Sequence, residues 1–225
     1  MSDFQRYAVY YLPDDDAFAT FGAAWLGWDV DRGEAVPHLA ADVDLAAVTK
    51  TPRKYGFHGT LKPPFRLAKS TTPEGLFAAV EGFAASAASV EVDGLEIATV
   101  GSFLALVPTG GTDGLAELAG RIVTELDGFR ALASEAELAR RRAAGLTARQ
   151  DELLLAWGYP YVLEEFRFHL TLSGRLDADG LAATKAEAER LLPQLPAPYH
   201  VRSIAVAGER ADGAFQTIHR YALSG

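Results

Sequence analysis

Apolar residues along this chain fall in short continuous or alternating runs, separated by stripes at helical spacing, and the order of the two kinds recurs. Tyr7 to Leu12, a run of aromatic and aliphatic residues ended by Pro13, predicts a first strand. Asp14 to Asp16 supply capping charge for a helix through about Trp28, whose Phe18, Phe21, Trp25 and Trp28 recur at helical spacing and suit a core. Gly33 to Pro37 and Thr51 to Gly56 read as loops, and Phe57 to Leu61 as a short strand stopped by Pro63 and Pro64. Thr72, with Pro73 at the first helical position, opens a helix to about Ala88, and strands follow at Val90 to Ala98 and Ser102 to Val107.

The middle has helical periodicity. Leu115, Leu118, Ile122 and Leu126 form one stripe within Asp113 to Leu126, and two capping boxes follow, Ser134 with Glu137 and Thr147 with Gln150. A short strand at Phe166 to Ser173, a helix from about Asp179 to Leu192, and strands near His200 to Ala207 and Ala214 to Ala222 complete the pattern. Both ends therefore read strand, helix, strand, strand. From His58 to Gly94 is 36 residues and from His169 to Ile204 is 35, which predicts an internal duplication. The expected fold is α+β, a single bilobal domain over residues 1–225 in which duplicated units of antiparallel sheet plus helix surround a central cleft. The lobes are expected at 1–110 and 160–225, with a helical insertion at 111–159.

Composition narrows the function classes. At 225 residues, 49% apolar and 23% charged, the chain is an ordinary globular protein, neither disordered nor fibrous. The absence of cysteine excludes disulfides, thiolate metal sites and cysteine nucleophiles. The opening MSDFQRYAVYYLP lacks the basic and apolar regions of a secretion signal, and no apolar stretch approaches the ~20 residues that span a bilayer. A cytoplasmic protein without a membrane partner is expected. A net charge of −9 disfavours a long nucleic acid as partner. Between Leu45 and Pro73, however, there is no acid, and Lys50, Arg53, Lys54, Lys62, Arg66 and Lys69 make that stretch a candidate anion site.

Two segments carry candidate chemistry. Phe57-His58-Gly59-Thr60-Leu61 and Phe168-His169-Leu170-Thr171-Leu172 both read F-H-x-T-L. With five histidines and fourteen threonines in the chain, two His-x-Thr pairs arise by chance with probability roughly 0.04, before the shared Phe and Leu are counted. In a strand, His58 and Thr60 face one way and Phe57, Gly59 and Leu61 the other, and the second copy does the same. Two apolar edges would then serve the lobes' cores while two His/Thr pairs line a shared cleft. Lys62 has the parity of His58, and Arg167 and Ser173 that of His169, so all three are candidate substrate contacts. Opening a cyclic phosphodiester by water needs a base for the water proton and an acid for the leaving alkoxide, roles two imidazoles divide at neutral pH. Threonine hydroxyls and cations would stabilise the charged transition state without a metal.

The duplicated His-x-Thr resembles the signature of the two-histidine (2H) phosphoesterase superfamily. The flanking YGFHGTLKPPFRLA, Tyr55 to Ala68, and the segment Glu137 to Leu176 resemble its bacterial phosphonate-metabolism-associated branch. That resemblance implies a bilobal α+β cleft with His58, Thr60, His169 and Thr171 as the catalytic set, and neither metal nor other cofactor. Gly59 stands where relatives carry a small residue such as alanine. The implied partner is a small phosphorylated substrate, a sugar cyclic phosphate such as 5-phosphoribosyl 1,2-cyclic phosphate opened to a bisphosphate. A 5-phosphate would explain the surplus of cations, with Arg53, Lys54 and Lys62 as its expected contacts. Two rivals share the cleft: an RNA or nucleoside 2′,3′-cyclic phosphodiesterase, and a phosphate-binding protein without turnover. No feature sets an oligomeric state.

The remaining candidates are weaker. His38, His200 and His219 lack a threonine two residues on and read as structural, and no His-x-His or His-Glu-x-x-His spacing suggests a metal site. Arg140, Arg141 and Arg142 cannot all share one helix face. They read as solvated, with one of them reaching a distal phosphate as the alternative. Trp157 to Pro160 reads as a turn, with Tyr159 or Tyr161 able to border the cleft.

Overall fold

The computed structural model describes residues 4–14 and 16–225. Met1, Ser2 and Asp3 of the opening segment, and Asp15 among the expected capping acids, lie outside the described residues. The strands are β1 (Tyr7–Tyr11), β2 (Trp28–Asp29), β3 (Glu34–Ala35), β4 (Gly59–Phe65), β5 (Val90–Val92), β6 (Gly94–Val100), β7 (Phe103–Thr109), β8 (Leu170–Thr171), β9 (Tyr199–Val201), β10 (Ser203–Glu209) and β11 (Phe215–Ala222). The helices are α1 (Asp16–Leu26), α2 (Leu45–Val48), α3 (Pro73–Ser86), α4 (Asp113–Glu125), α5 (Glu135–Arg142), α6 (Ala148–Trp157) and α7 (Ala178–Leu191).

Local chemistry sets several boundaries. The Thr72 side chain accepts from Gly75 N at the start of α3, and both expected capping boxes close, Ser134 with Glu137 on α5 and Thr147 with Gln150 on α6. On α1, Phe18, Phe21 and Trp25 are buried as their spacing implies. Trp28 instead belongs to β2, and its indole N–H donates to the Phe215 carbonyl.

The main sheet is antiparallel and orders its strands β11-β10-β1-β4-β8-β7-β6. The duplicated units exchange their hairpins across it. The β6–β7 hairpin of the first unit lies beside β8 of the second, and the β10–β11 hairpin of the second lies beyond β1 on the β4 side. The helices follow, α3 packing on β10 and β11 and α7 on β6 and β7. Each half of the sheet therefore draws on both ends of the chain, so the expected linear lobes 1–110 and 160–225 are not its spatial halves.

β4 departs from expectation in one respect that decides the site. It runs through Pro63 and Pro64 to Phe65, where the prolines were expected to stop it. Tyr10 opposes Thr60 while the adjacent Val9 opposes Lys62, so Leu61 is the extra residue of a bulge and the facing alternation is broken there. A second irregularity lies between Lys62 and Phe65. Proline is tolerated at such bulges because no ladder hydrogen bond is required of its nitrogen.

The core occupies one face of the sheet. Tyr7, Val9 and Tyr11 of β1 join Phe18, Trp25, Phe57, Leu61 and Phe168 there, while Ala8, Tyr10 and Leu12 join Phe215 in a smaller cluster on the other face. β1 is thus buried on both sides, which is why its sequence is apolar throughout. The Trp25 indole N–H donates to the Leu172 carbonyl at 2.7 Å, tying α1 to the residue after β8.

Candidate active site

His58 follows a turn of 3₁₀ helix over Arg53–Tyr55 that ends at Gly56, whose φ of 75° glycine adopts without strain. The His58 Nδ1 donates to the Gly56 carbonyl at 2.9 Å. A carbonyl has no proton to give, so Nδ1 carries the hydrogen and Nε2 the lone pair, 2.9 Å from the Thr60 hydroxyl that donates to it. His169 repeats the device: its Nδ1 donates to the Arg167 carbonyl at 2.8 Å, again two residues upstream. Each imidazole is oriented by its own backbone.

β4 and β8 pair Gly59 with Leu170. One residue further in that antiparallel register, His58 lies beside Thr171 and Thr60 beside His169. Phe57, Leu61, Phe168 and Leu172 are buried in the core. Burial lowers the His58 imidazole to about 4 against the upward pull of the Gly56 carbonyl, and charge on His169 lowers it further. His58 is therefore neutral at pH 7. The Tyr10 ring packs on it with centroids 3.9 Å apart.

His58, Thr60 and Thr171 line a cavity of about 700 Å³, and on the other side His58 and Thr171 line a smaller one of about 280 Å³ that includes Tyr55 and Phe103. The His169 ring packs against Phe103 at 5.7 Å. Five cations line the larger cavity, Arg6, Lys54, Arg66, Arg140 and Arg141, against two carboxylates, Glu137 and Glu209. Arg6 pairs with Glu209 and Arg66 with Glu137, each at 2.5 Å. Three positive charges are left over inside a chain of net charge −9. Among the described residues no group of three or more His, Asp or Glu side chains is arranged to hold a metal ion.

Of the residues expected at the site, the structure brings His58, Thr60, Thr171 and Lys54 to the larger cavity and sets His169 beside Thr60. Four others are engaged by groups of the protein itself. Lys62 is 2% exposed, and its Nζ donates to the Val123 carbonyl at 2.9 Å with Asp127 at 3.5 Å, because the bulge at Leu61 turns it toward α4. Arg53 donates to the carbonyls of Leu26 and Ala46 and to the Thr49 hydroxyl, bracing the ends of α1 and α2. Arg167 is exposed and donates to the carbonyls of Glu164 and Phe166. Ser173 borders the smaller cavity, but its hydroxyl accepts from Leu104 N and donates to the Gly174 carbonyl.

Tyr10 belongs to a first strand that reads only as core, and Arg6 precedes it without a motif, so neither stands out in the sequence. Arg66, one of the six cations of the acid-free stretch, regains the cavity side beyond the irregularity at the prolines. Arg142 pairs with Asp151, whereas Arg140 and Arg141 reach the cavity and the Arg141 guanidinium lies 4.9 Å over the Tyr159 ring. Tyr161 is exposed. His38 bonds the Trp25 carbonyl, His200 faces Glu91, and His219 packs between Phe77 and Tyr221, away from the motif histidines.

A family model described as "Protein of unknown function (DUF1045)" matches residues 60–216, from Thr60 of the first motif through the whole of the second. The chain belongs to the DUF1045 family. This DUF1045 chain is 39% identical over 223 residues to the ribose 1,5-bisphosphate phosphokinase PhnN of Janthinobacterium sp. (strain Marseille), covering 93% of this chain and 48% of that protein. It is 40% identical over 177 residues to the protein of the same name from Laribacter hongkongensis (strain HLHK9), covering 76% and 40%. The chain thus spans less than half the length of these curated relatives. Among solved structures it is similar to Escherichia coli LigT complexed with 3′-AMP, at 15% identity and a TM-score of 0.46, over 99% of this chain and 100% of that one. The fold of the DUF1045 chain is α+β on an antiparallel sheet, as its pattern predicts.

Proposed function

We propose that this chain is a cyclic phosphodiesterase that opens a small sugar cyclic phosphate by two-histidine acid–base catalysis. The observation that carries the reading is the pair of imidazoles immediately before two adjoining strands, each with Nδ1 held by a carbonyl two residues upstream. His58, neutral at pH 7 with its lone pair on Nε2, takes a proton from the attacking water. The water oxygen bonds to phosphorus, the bond to the leaving ring oxygen breaks, and His169, protonated at Nε2, gives that oxygen its proton. With substrate bound, the Thr60 hydroxyl turns from the His58 Nε2 to a non-bridging oxygen, which frees that lone pair for the water proton, and Thr171 donates to the non-bridging oxygens as charge builds.

The sugar assignment draws on the curated relatives. Their name specifies a ribose carrying phosphates at positions 1 and 5. Cleaving the bond to the 2-oxygen of 5-phosphoribosyl 1,2-cyclic phosphate yields that compound. A phosphorus NMR assay over sugar and nucleoside cyclic phosphates, with and without EDTA, tests the reading. Turnover of a sugar cyclic phosphate to its monoester is expected, undiminished by the chelator. Turnover abolished by EDTA and restored by a divalent ion overturns the mechanism, and absence of turnover with any cyclic phosphate leaves a binding protein.

A further inference from the structure

Beside the His/Thr face, the larger cavity holds charge and donor capacity that a cyclic phosphodiester monoanion does not use. Arg141 is half-buried on α5, with its guanidinium over Tyr159, and Lys54 lines the same cavity with its ammonium 4.9 Å from the Tyr55 ring centroid. Among the described residues neither has a carboxylate within ion-pair distance, nor does Arg140, while the other two lining cations are neutralised by Glu209 and Glu137. A fourth feature points the same way. The Tyr10 hydroxyl, on a residue that lines the cavity, is buried without a hydrogen-bond partner, a state that costs free energy unless a ligand oxygen or other polar group satisfies it.

We propose that Arg141 and Lys54, beside Tyr10 with its unpartnered hydroxyl, form a second anion subsite that holds a phosphate monoester on the same substrate whose cyclic diester meets His58 and His169. The inference rests on the cyclic phosphodiesterase reading and adds to it the residues that select for a second phosphate on the sugar cyclic phosphate. Charge decides for a monoester. The three uncompensated cations match a dianionic monoester plus a diester monoanion, whereas a diester alone leaves two of them unanswered. The shapes agree as well. An arginine placed over a tyrosine ring keeps its edge donors open in a planar fork, which suits two oxygens of one phosphate. Burial holds the Arg141 guanidinium below the ordinary arginine range, with Arg140 and Arg6 adding to the effect, and a bound anion would relieve that penalty. The subsite replaces the cation set expected from sequence, since Lys62 and Arg53 are committed to the fold and only Lys54 of that set is free to take part.

The experiment uses a ribonucleoside 2′,3′-cyclic phosphate and its 5′-phosphorylated counterpart, with kcat/KM measured for the wild type and for Arg141→Met and Lys54→Met. Wild type is expected to prefer the 5′-phosphorylated compound by about tenfold to a hundredfold, the range of one or two charge-assisted hydrogen bonds. Each variant is expected to lose most of that preference while keeping its rate on the compound without the 5′-phosphate, which also shows that it is folded. Calorimetric binding of ribose 5-phosphate, which has no diester, separates this inference from the catalytic one: it is expected to survive His58→Ala and to fail in Arg141→Met. Equal kcat/KM for the two compounds, or a wild-type preference retained in Arg141→Met, overturns the subsite and leaves the catalytic reading standing. Arg141-dependent binding of ribose 5-phosphate by a protein without cyclic phosphodiesterase activity overturns the catalytic reading and supports the subsite.

Discussion

At the scale of single residues, two buried bases carry opposite consequences. Lys62 sits at 2% exposure with its ammonium on the Val123 carbonyl, and burial pulls its pKa down to about 8 from 10.5, with Asp127 opposing. The unfolded chain therefore binds more protons between pH 8 and 10.5, so stability rises with pH across that window and the cost of the buried charge is fully present below it. Lys62→Met is expected to remove that rise in a denaturant titration and to leave kcat/KM unchanged. A large loss of activity would return Lys62 to the substrate. His58 is lowered to about 4, so the base should stay active down to that region, and the acid limb of the kcat/KM profile is expected near pH 4, well below the ~6.5 of a solvated imidazole. An acid limb at 6.5 would mean that His58 is solvated or is not the base. The motif histidines were legible because they repeat with their neighbours. Lys62 was misread because parity counts assume an unbroken strand.

Among the elements, β4 and β8 carry the site and show where pattern stops informing. The helices with caps and stripes, α3 to α7, lie within a few residues of their expected bounds, since side-chain capping and apolar spacing are local. β8 was expected as Phe166 to Ser173 and pairs only at Leu170 and Thr171. The residues before it are held by side-chain and turn contacts that no alternation encodes. The bulges of β4 likewise depend on where β1 lies, a tertiary fact. Between these strands Gly59 is opposite Leu170, and a Cβ there would stand 2.6 Å from the Phe168 ring. An alanine, which the family resemblance treats as harmless, must therefore displace a buried ring next to His169. Gly59→Ala is expected to cost about 1–3 kcal/mol of stability, as overpacking does, and to lower kcat more than it raises KM. Wild-type stability in thermal and denaturant melts would show that Phe168 yields freely.

For the molecule as a whole, exchange of the two hairpins binds both motif strands into one sheet, so neither histidine can move without the strands drawn from the other end of the chain. Linear order suggested two lobes in sequence, and only the pairing of β1 with β10 and of β7 with β8 shows otherwise. The cleft is the positive feature of an acidic molecule. Its cations come from Arg6, Lys54 and Arg66 near the sheet and from Arg140 and Arg141 on α5. The acid-free stretch Leu45 to Pro73 hinted at that charge, but only Lys54 and Arg66 of its six cations line the cavity, and Arg6 and α5 supply the rest. The central claim is that two equivalent imidazoles divide the proton transfers. Single-turnover and steady-state kcat of His58→Ala and His169→Ala, in proteins whose circular dichroism matches the wild type, tests it most directly. Each variant is expected to lose about 10²- to 10⁴-fold, the contribution of a general acid or base, and the double variant little more than either alone. A His169→Ala variant with near-wild-type kcat would contradict the account.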